Sequence, residues 1–196
     1  MRRFALAALA SLALLAPAHA ADTAARPGKP TQDPLAPAHA ADTLVMKLAG
    51  GDVVIALRPD IAPKHVARVK QLVAEKFYDN IVFHRVIADF MAQTGDPTGT
   101  GSGGSTYPDL PAEFSEAPFK RGTIGAARAD NPDSANSQFF FCFTDQSCAH
   151  LQGQYTVWGQ VVSGMAAIDA VKKGEGDGGL VTGPDKIISM RLQAGG

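Results

Sequence analysis

The amino-acid sequence predicts a mainly β domain, either a barrel or a sandwich with helical caps, on three observations. Short runs rich in β-branched and aromatic residues alternate with glycine-rich and proline-rich loops as far as Val161-Val162. Two segments, 66–73 and 165–172, have the apolar spacing of a helix. The chain has 196 residues, 45% of them hydrophobic, which is enough to bury one core. We therefore expect a single folded domain over residues 43–196.

The first predicted element is a β-hairpin. Apolar runs at 44–48 and 53–57 flank the turn Ala49-Gly50-Gly51-Asp52. Two such runs around a Gly-Gly pair are typical of antiparallel strands joined by a tight turn. The folded domain is therefore expected to begin near Thr43.

Two helices and a final strand are predicted after the hairpin. Beyond Pro63, apolar residues recur with helical spacing at Val66, Val69, Leu72 and Val73. This helix is expected to stop near Tyr78-Asp79-Asn80, and the segment from Met165 to Lys172 predicts a second helix. The run from Ile187 to Leu192 predicts the last strand.

The first twenty residues have the layout of a secretory signal peptide. Arg2 and Arg3 precede an apolar run from Phe4 to Leu15, and Ala18-His19-Ala20 supplies small residues at the outer positions of a cleavage site. A transmembrane anchor is the alternative, but roughly 12 apolar residues are fewer than the ~20 that a spanning helix needs. We expect residues 1–20 to be removed after Ala20, which places the mature protein in the periplasm without a membrane anchor.

Residues 21–42 are expected to form a disordered linker rich in proline and alanine. The nine residues LAPAHAADT occur at 15–23 and again at 35–43, with a polar, proline-rich stretch between the copies. Such a composition cannot bury enough apolar surface to fold. We interpret the repeat as a duplication that lengthened a linker.

Charge and cysteine content limit the partners of the folded domain. Removal of residues 1–20 takes two of the 18 Lys+Arg and none of the 19 Asp+Glu, which leaves a mildly acidic chain. No basic run stands out, so neither nucleic acid nor an anionic membrane is an expected partner. Cys142 and Cys148 can form a disulfide in an exported protein, but a buried, reduced cysteine on a strand is an equally good interpretation.

Residues 83–96 read FHRVIADFMAQTGD and set one arginine among apolar side chains. Arg85 offers a planar fork of donors that stays charged, while Phe90 and Met91 offer apolar surface. Gln93 adds a neutral amide. None of these side chains is a nucleophile, so the mixture indicates ligand binding rather than covalent chemistry.

A second informative block, residues 137–143, reads SQFFFCF. Alternation along a strand puts Gln138, Phe140 and Cys142 on one face and the other phenylalanines on the opposite face. If the first face meets Arg85 and Gln93, the result is a shallow apolar pocket edged by amides and one cation.

Residues 99–104, GTGSGG, have the spacing of a dinucleotide-binding loop, but the prolines of Tyr107-Pro108-Asp109-Leu110-Pro111 prevent the helix that such a loop needs. We expect instead a flexible loop whose glycines let the backbone pass close to a ligand. The chain has no G-x-S-x-G motif, and no two of His65, His84 and His150 stand at metal-ligand spacing. We therefore expect no hydrolase triad, no metal and no other cofactor.

Together with residues 150–159, HLQGQYTVWG, these blocks resemble the motifs of the cyclophilin-type peptidyl-prolyl cis-trans isomerases, over about residues 43–193. The resemblance implies a closed antiparallel eight-stranded β-barrel capped by two α-helices. It also implies an isomerase of X-Pro bonds that needs no cofactor. The expected partners are unfolded or flexible polypeptides that contain X-Pro bonds, during the folding of exported proteins. We expect the enzyme to be a monomer.

The resemblance assigns a role to each site residue. The residues implied in catalysis are Arg85, Phe90 and Gln93. Those implied in substrate binding are Met91, Gly101, Ala127, Arg128, Ala129, Gln138, Phe140, His150, Leu151 and Tyr155. An apolar pocket would hold the proline ring while the arginine donates to the prolyl amide, whose twisted form a nearby donor favours.

The chain departs from the family pattern W-L-D-G-x-H-x-V-F-G at four positions. His150 stands in place of the tryptophan, Gln152 of the aspartate, Tyr155 of the histidine and Trp158 of the phenylalanine. Arg128 replaces the asparagine of the vertebrate-type pattern and is similar to bacterial variants. These changes keep an alternative to the isomerase open, namely a proline-peptide binding module or chaperone with little turnover.

Overall fold

The computed structural model describes residues 42–193, so the expected signal peptide and all but the last residue of the expected linker lie outside the described range. The strands within it are β1 Thr43–Leu48, β2 Gly51–Leu57, β3 Arg85–Ile87, β4 Met91–Thr94, β5 Thr123–Ala126, β6 Phe139–Cys142, β7 Val157–Ser163 and β8 Ser189–Leu192. The helices are α1 Pro63–Ala74 and α2 Met165–Asp169, with a 3₁₀ helix at Ala149–Leu151. The predicted mainly β fold with two helices is confirmed. Over the same residues, no helix has the length and apolar character to cross a membrane.

The eight strands form one open antiparallel sheet, a half-barrel, so the prediction of a closed barrel was wrong. The strand order is β3-β4-β6-β5-β7-β2-β1-β8, which leaves β3 and β8 as the two edges. Between residues 42 and 193 these edges share no ladder. Isolated backbone hydrogen bonds join the segments before them instead, from Asn80 N to Ile187 O at 2.7 Å and from Phe83 N to Asp185 O at 2.9 Å. The edge strands β3 and β8 have three and four residues and each pairs with one neighbour, β4 and β1.

The predicted hairpin is confirmed. β1 and β2 pair with Leu48 opposite Gly51, which has a φ of +129° that an L side chain rarely adopts. The apolar residues Leu44, Met46, Val53 and Ile55 are buried. The final strand is shorter than predicted, since it begins at Ser189 rather than at Ile187.

Helix α1 receives its N-terminal cap from a distant loop. Its N-cap residue is Ala62, which has no side-chain acceptor. The Glu113 carboxylate instead accepts hydrogen bonds from the backbone N–H groups of Lys64 at 3.0 Å and His65 at 2.9 Å. The helix buries the predicted face formed by Val66, Val69, Leu72 and Val73.

Helix α1 ends at Ala74, several residues before the predicted stop. Lys76 adopts the left-handed conformation with φ +58°, and the Phe77 N–H bonds back to the Leu72 carbonyl at 2.9 Å. This 6→1 bond closes the helix in the way that a C-terminal glycine usually does. A lysine in that position carries no sequence signal for a stop.

The sheet buries apolar side chains on both faces, in two clusters. The main core contains Phe139, Phe141 and Phe143, with both helices packed against it. A smaller cluster on the other face contains Phe140 and Cys142, with Met91, Phe119, Cys148 and Val157. The predicted alternation of the phenylalanines is therefore confirmed, and the smaller cluster lies beneath the candidate site.

Cys142 and Cys148 form a disulfide, one of the two interpretations that the sequence left open. Both residues are fully buried, and their Cα atoms lie 6.0 Å apart. The bond ties β6 to the 3₁₀ helix Ala149–Leu151, which begins at the next residue. That helix carries two of the predicted site residues.

Candidate active site

The candidate site is a row of residues that crosses four neighbouring strands. Arg85 of β3 lies opposite Gln93 of β4, Gln93 opposite Phe140 of β6, and Phe140 opposite Gly125 of β5. Directly opposed residues project from the same face of a sheet, here the face of the smaller cluster. Strand pairing therefore brings an arginine, an amide and an aromatic ring together from distant parts of the sequence.

A pocket of about 270 Å³, which we name the aromatic pocket, opens over this row. It is lined by Arg85, Phe90, Met91, Gln93, Ala127, Arg128, Phe140, His150, Leu151 and Tyr155. All of these are among the predicted site residues. The pocket combines two guanidinium groups and one amide with an apolar floor, whereas the sequence predicted amides and one cation.

Aromatic contacts fix the ring of Phe140 as the floor of the aromatic pocket. The ring of Phe119 stacks on it with centroids 5.9 Å apart and planes 12° apart. Tyr155 meets it edge-on, with centroids 5.8 Å apart. A Cβ on Gly125 would overlap Phe140 Cζ, so β5 needs a glycine where the ring lies. The floor is therefore rigid before any ligand arrives.

A second pocket of about 520 Å³, which we name the glycine-rich pocket, adjoins the first and shares Gln93, Ala127 and Arg128 with it. It contains the three remaining predicted site residues, Gly101, Ala129 and Gln138. Its other lining residues are Ser102, Gly103 and Gly104 of the loop that was expected to pass close to a ligand, and Ser105, Asp109, Ser134 and Asn136, which were not predicted. Although this pocket is larger, Arg85 and the aromatic side chains line only the aromatic pocket.

A chain of hydrogen bonds connects the two pockets. Arg85 Nη1 donates to Gln93 Oε1 at 3.3 Å, and Gln93 Nε2 donates to Gln138 Oε1 at 2.9 Å. Gln138 Nε2 then donates to the carbonyls of Gly101 at 3.0 Å and Gly103 at 2.8 Å. The orientation of each amide is thus set by its neighbours.

The guanidinium of Arg85 is held from two sides. Besides the bond to Gln93, its Nε donates to the Gly178 carbonyl at 3.0 Å. Two contacts fix the plane of a guanidinium, and a guanidinium has five N–H groups. Three N–H groups are not used by these two bonds and remain for a ligand.

Asp96 organises the glycine-rich loop, a role that was not predicted from the sequence. Its carboxylate is buried and accepts hydrogen bonds from the backbone N–H groups of Thr98 at 2.7 Å, Gly101 at 2.6 Å and Gly103 at 3.1 Å. Burial raises the pKa of Asp96, but these bonds outweigh it and lower the pKa to about 2. The sequence did contain a signal for this role. An aspartate just before a run of small residues is a common starting point for Asx-type turns.

Arg128 and Tyr155 together form one wall of the aromatic pocket. The guanidinium carbon of Arg128 lies 4.5 Å from the centre of the Tyr155 ring, within cation–π distance. Arg128 also donates to the Gln154 carbonyl from Nε at 3.2 Å and from Nη2 at 3.1 Å. Two of the residues at which this chain departs from the family pattern, Arg128 and Tyr155, therefore contact each other.

The site favours noncovalent chemistry. Cys142, on the face of the aromatic pocket, is bonded to Cys148. His84, next to Arg85 in sequence, is buried, and burial lowers its pKa although the charge of Asp96 opposes this shift. Between residues 42 and 193, no group of three or more His, Cys, Asp and Glu side chains could hold a metal ion. What the site offers is an apolar floor below preorganised donors.

Comparison with known proteins identifies the family. The family model of the cyclophilin type peptidyl-prolyl cis-trans isomerases matches residues 43–192, so this chain belongs to that family. A probable peptidyl-prolyl cis-trans isomerase of Brucella suis biovar 1 is 55% identical over 163 residues, which cover 77% of this chain and 82% of that protein. A peptidyl-prolyl cis-trans isomerase of Helicobacter pylori is 40% identical over 134 residues, which cover 66% of this chain and 80% of that protein.

The fold has a close counterpart among solved structures. A cyclophilin type peptidyl-prolyl cis-trans isomerase of Cryptosporidium parvum, crystallised in the presence of the dipeptide Ala-Pro, matches with a TM-score of 0.70 and 26% identity. The match covers 78% of this chain and 99% of that one. The prediction of a cyclophilin-type peptidyl-prolyl cis-trans isomerase is confirmed.

Proposed function

We propose that this isomerase holds a proline ring in the aromatic pocket and uses Arg85 to stabilise the twisted X-Pro amide. One observation carries the proposal: the guanidinium of Arg85, fixed by Gln93 and Gly178, lies at the rim of a pocket whose floor is Phe140. The match to a cyclophilin crystallised with Ala-Pro supports proline as the ligand.

The mechanism follows from the barrier to rotation about the X-Pro bond. Rotation breaks amide resonance, which makes the barrier roughly 18–20 kcal/mol, although no covalent bond is formed or broken. An enzyme accelerates the rotation by binding the twisted amide more tightly than either planar isomer. In the twisted state the prolyl nitrogen recovers its lone pair and becomes an acceptor. A fixed donor such as Arg85 stabilises that state selectively.

The remaining groups orient the peptide. Met91, Phe140 and Leu151 offer the apolar surface that a proline ring needs. Gln93 lies in the same row as Arg85 and would contact the carbonyl that follows the proline. The segment Ala127–Ala129 lines both pockets and would hold the peptide alongside. The peptide therefore crosses from one pocket into the other.

We also propose that the protein acts in the periplasm on X-Pro bonds of exported polypeptides. The N-terminal pattern of residues 1–20 supports export, and the disulfide between Cys142 and Cys148 suits an oxidising compartment. Expression of the full chain with a C-terminal tag tests this proposal. We expect a periplasmic protein whose mass corresponds to an N-terminus at Ala21. A cytoplasmic protein that keeps residues 1–20 would overturn the proposal.

Catalysed cis-to-trans isomerisation of a short X-Pro peptide tests the role of Arg85. We expect Arg85→Ala to lower kcat/KM about 100-fold, as the loss of a transition-state donor does elsewhere. Arg85→Lys keeps the charge but not the fork, and we expect it to restore only a small part of the rate. Arg191→Ala removes a similarly exposed arginine from the opposite edge of the sheet and should leave the rate unchanged.

Two outcomes would contradict this mechanism. Wild-type activity in a folded Arg85→Ala variant would remove Arg85 from the chemistry. A wild-type protein that binds the peptide without accelerating its isomerisation would favour the proline-peptide binding module over the enzyme.

A further inference from the structure

The outer side of β3, at the open edge of the sheet, is covered by the segment 174–181, which we name the edge loop. Gly174 N donates to Val86 O at 2.9 Å, and Val86 N donates to Gly179 O at 2.7 Å. Val181 N donates to His84 O at 3.1 Å. An irregular loop therefore satisfies the backbone groups that a further strand would otherwise pair.

The edge loop holds the backbone on both sides of Arg85 and also contacts its side chain. Backbone bonds from the loop reach His84 and Val86, while the inner side of Arg85 pairs with Gln93. The Gly178 carbonyl then accepts the bond from Arg85 Nε at 3.0 Å. In a regular strand the carbonyls that face β3 would be directed at its backbone, whereas this turn directs the Gly178 carbonyl at a guanidinium.

Glycine at position 179 allows this close approach. Gly179 is buried and has φ +65°. A Cβ there would overlap Ile87 Cγ1 and lie 2.9 Å from Val86 O. A side chain at 179 would therefore push the loop away from β3. Because Gly178 is the adjacent residue, its carbonyl would move with the loop.

We propose that Gly178 and Gly179 are positioning residues for the isomerase reaction, which hold the guanidinium of Arg85 in the plane that the twisted amide requires. The inference rests on the proposed role of Arg85. Because Gly178 fixes the Nε–H of Arg85, the N–H groups on the two terminal nitrogens of the guanidinium remain directed at the aromatic pocket. A displacement of about 1 Å in a catalytic group can cost about 100-fold in rate, so the loop need move only slightly to matter.

The test compares a variant of the edge loop, Gly179→Ala, with a matched control variant. Gly179→Ala is made in the wild type and in Arg85→Ala, and Gly183→Ala is the matched control. Gly183 has a similar φ of +62°, but its nearest neighbour would be Lys172 Nζ at 3.7 Å, an ordinary contact. The two substitutions thus introduce the same backbone strain, and only one displaces the edge loop.

We expect Gly179→Ala to lower kcat for an X-Pro peptide about tenfold while KM changes less than about twofold. Gly183→Ala should stay within about twofold of the wild type. In the Arg85→Ala background, Gly179→Ala should cause no further loss. Thermal unfolding of each variant checks that it is folded at the assay temperature.

The inference fails if Gly179→Ala costs the same factor with and without Arg85, or if it costs no more than Gly183→Ala. Full activity in Arg85→Ala is a different result, which would overturn the proposed function itself. If Gly179→Ala does not fold, hydrogen exchange at Arg85 Nε–H of the wild type tests the bond to Gly178 instead. Exchange much slower than that of a free arginine supports the bond to Gly178, and exchange at the free rate overturns it.

Discussion

Gln93 donates a hydrogen bond to Gln138 from Nε2 to Oε1 at 2.9 Å, and this bond joins the aromatic pocket to the glycine-rich pocket. On one side Gln93 accepts from Arg85, and on the other Gln138 donates to the carbonyls of Gly101 and Gly103. Rotation of either amide by 180° would place like groups against each other. The two glutamines therefore link the position of the glycine-rich loop to that of Arg85.

The first prediction concerns this link. Gln138→Leu should lower kcat/KM for an X-Pro peptide about fivefold, because Gln93 loses a partner that orients it. Gln93→Leu and the double variant complete a cycle in which we expect a coupling of about 1 kcal/mol, within the range found for residues in one hydrogen-bonded network. Gln146→Leu, at an exposed position, is the control. Additive effects of Gln93→Leu and Gln138→Leu would show that the pockets act independently.

The second prediction concerns Asp96. Asp96→Ala should lower the free energy of unfolding by about 2–4 kcal/mol, because it leaves the N–H groups of Gly101 and Gly103 without their acceptor. Asp96→Asn should cost less, since one acceptor oxygen remains. Urea denaturation at pH 7 measures both losses. Asp52→Asn, in the exposed part of the hairpin, should change stability by less than about 0.5 kcal/mol.

The pH dependence of the Asp96 effect has a definite sign. The pKa of Asp96 in the folded protein, about 2, is below its ordinary value of 3.8. The ionised carboxylate therefore stabilises the fold above about pH 4, and this stabilisation is lost as the pH falls from about 4 to 2. The stability difference between wild type and Asp96→Asn should shrink over that interval. A difference that stays constant from pH 7 to pH 2 would exclude the carboxylate charge as its cause.

The sequence predicted the part of the site that depends on side-chain identity. The aromatic pocket consists entirely of residues chosen from motifs, and β6 alternates as the period of a strand requires. Gly178 was missed because it contacts Arg85 through its backbone carbonyl, a group that every residue has. Asp96 was missed because its carboxylate binds backbone N–H groups, so no partner side chain marks the contact in the sequence. The bond from Arg85 to Gly178 also spans 93 positions, and no local pattern indicates it.

The errors in the predicted fold also come from features that no local sequence pattern indicates. The barrel was predicted closed from the family resemblance, whereas pairing between β3 and β8 is a long-range relationship that no local sequence pattern specifies. β3 contains only three residues, since Asp89 takes a left-handed conformation with φ +60° in the turn that follows. Helix α1 ends early because Lys76 takes the position usually held by glycine. The left-handed conformation is uncommon for lysine and is only occasionally adopted by aspartate, so composition could not reveal either position.

The third prediction is that catalysis changes little with pH near neutrality. Burial lowers the pKa of His84, the neighbour of Arg85, below 6.5, which favours its neutral form near neutral pH although the charge of Asp96 opposes the shift. A guanidinium does not titrate near neutral pH. We expect kcat/KM for an X-Pro peptide to vary less than about twofold from pH 6 to 8. A tenfold change would contradict the mechanism, and the same profile in His84→Asn and His150→Asn would identify the histidine responsible.

The fourth prediction concerns the disulfide below the aromatic pocket. The bond between Cys142 and Cys148 closes a short loop of sequence separation 6, for which chain entropy predicts about 2 kcal/mol of stabilisation. Reduction should therefore lower Tm by about 5 °C in a domain of this size. It should also raise KM for an X-Pro peptide about threefold, because the 3₁₀ helix with His150 and Leu151 loses its tie to the floor strand.

The expected separation of KM from kcat in the disulfide experiment follows from the topology. The guanidinium of Arg85 is held by Gln93 and Gly178. The loop between Cys142 and Cys148 instead contacts the chain two and three residues before Gln93, where Cys142 lies opposite Met91 and the Phe143 N–H donates to the Phe90 carbonyl at 3.0 Å. A dithiol reductant should therefore change kcat less than about twofold. The double variant Cys142→Ala/Cys148→Ala should reproduce the reduced wild type and should not respond to the reductant. If reduction changes kcat as much as KM, the disulfide also holds the catalytic arginine in place, and the floor and rim of the pocket form one mechanical unit.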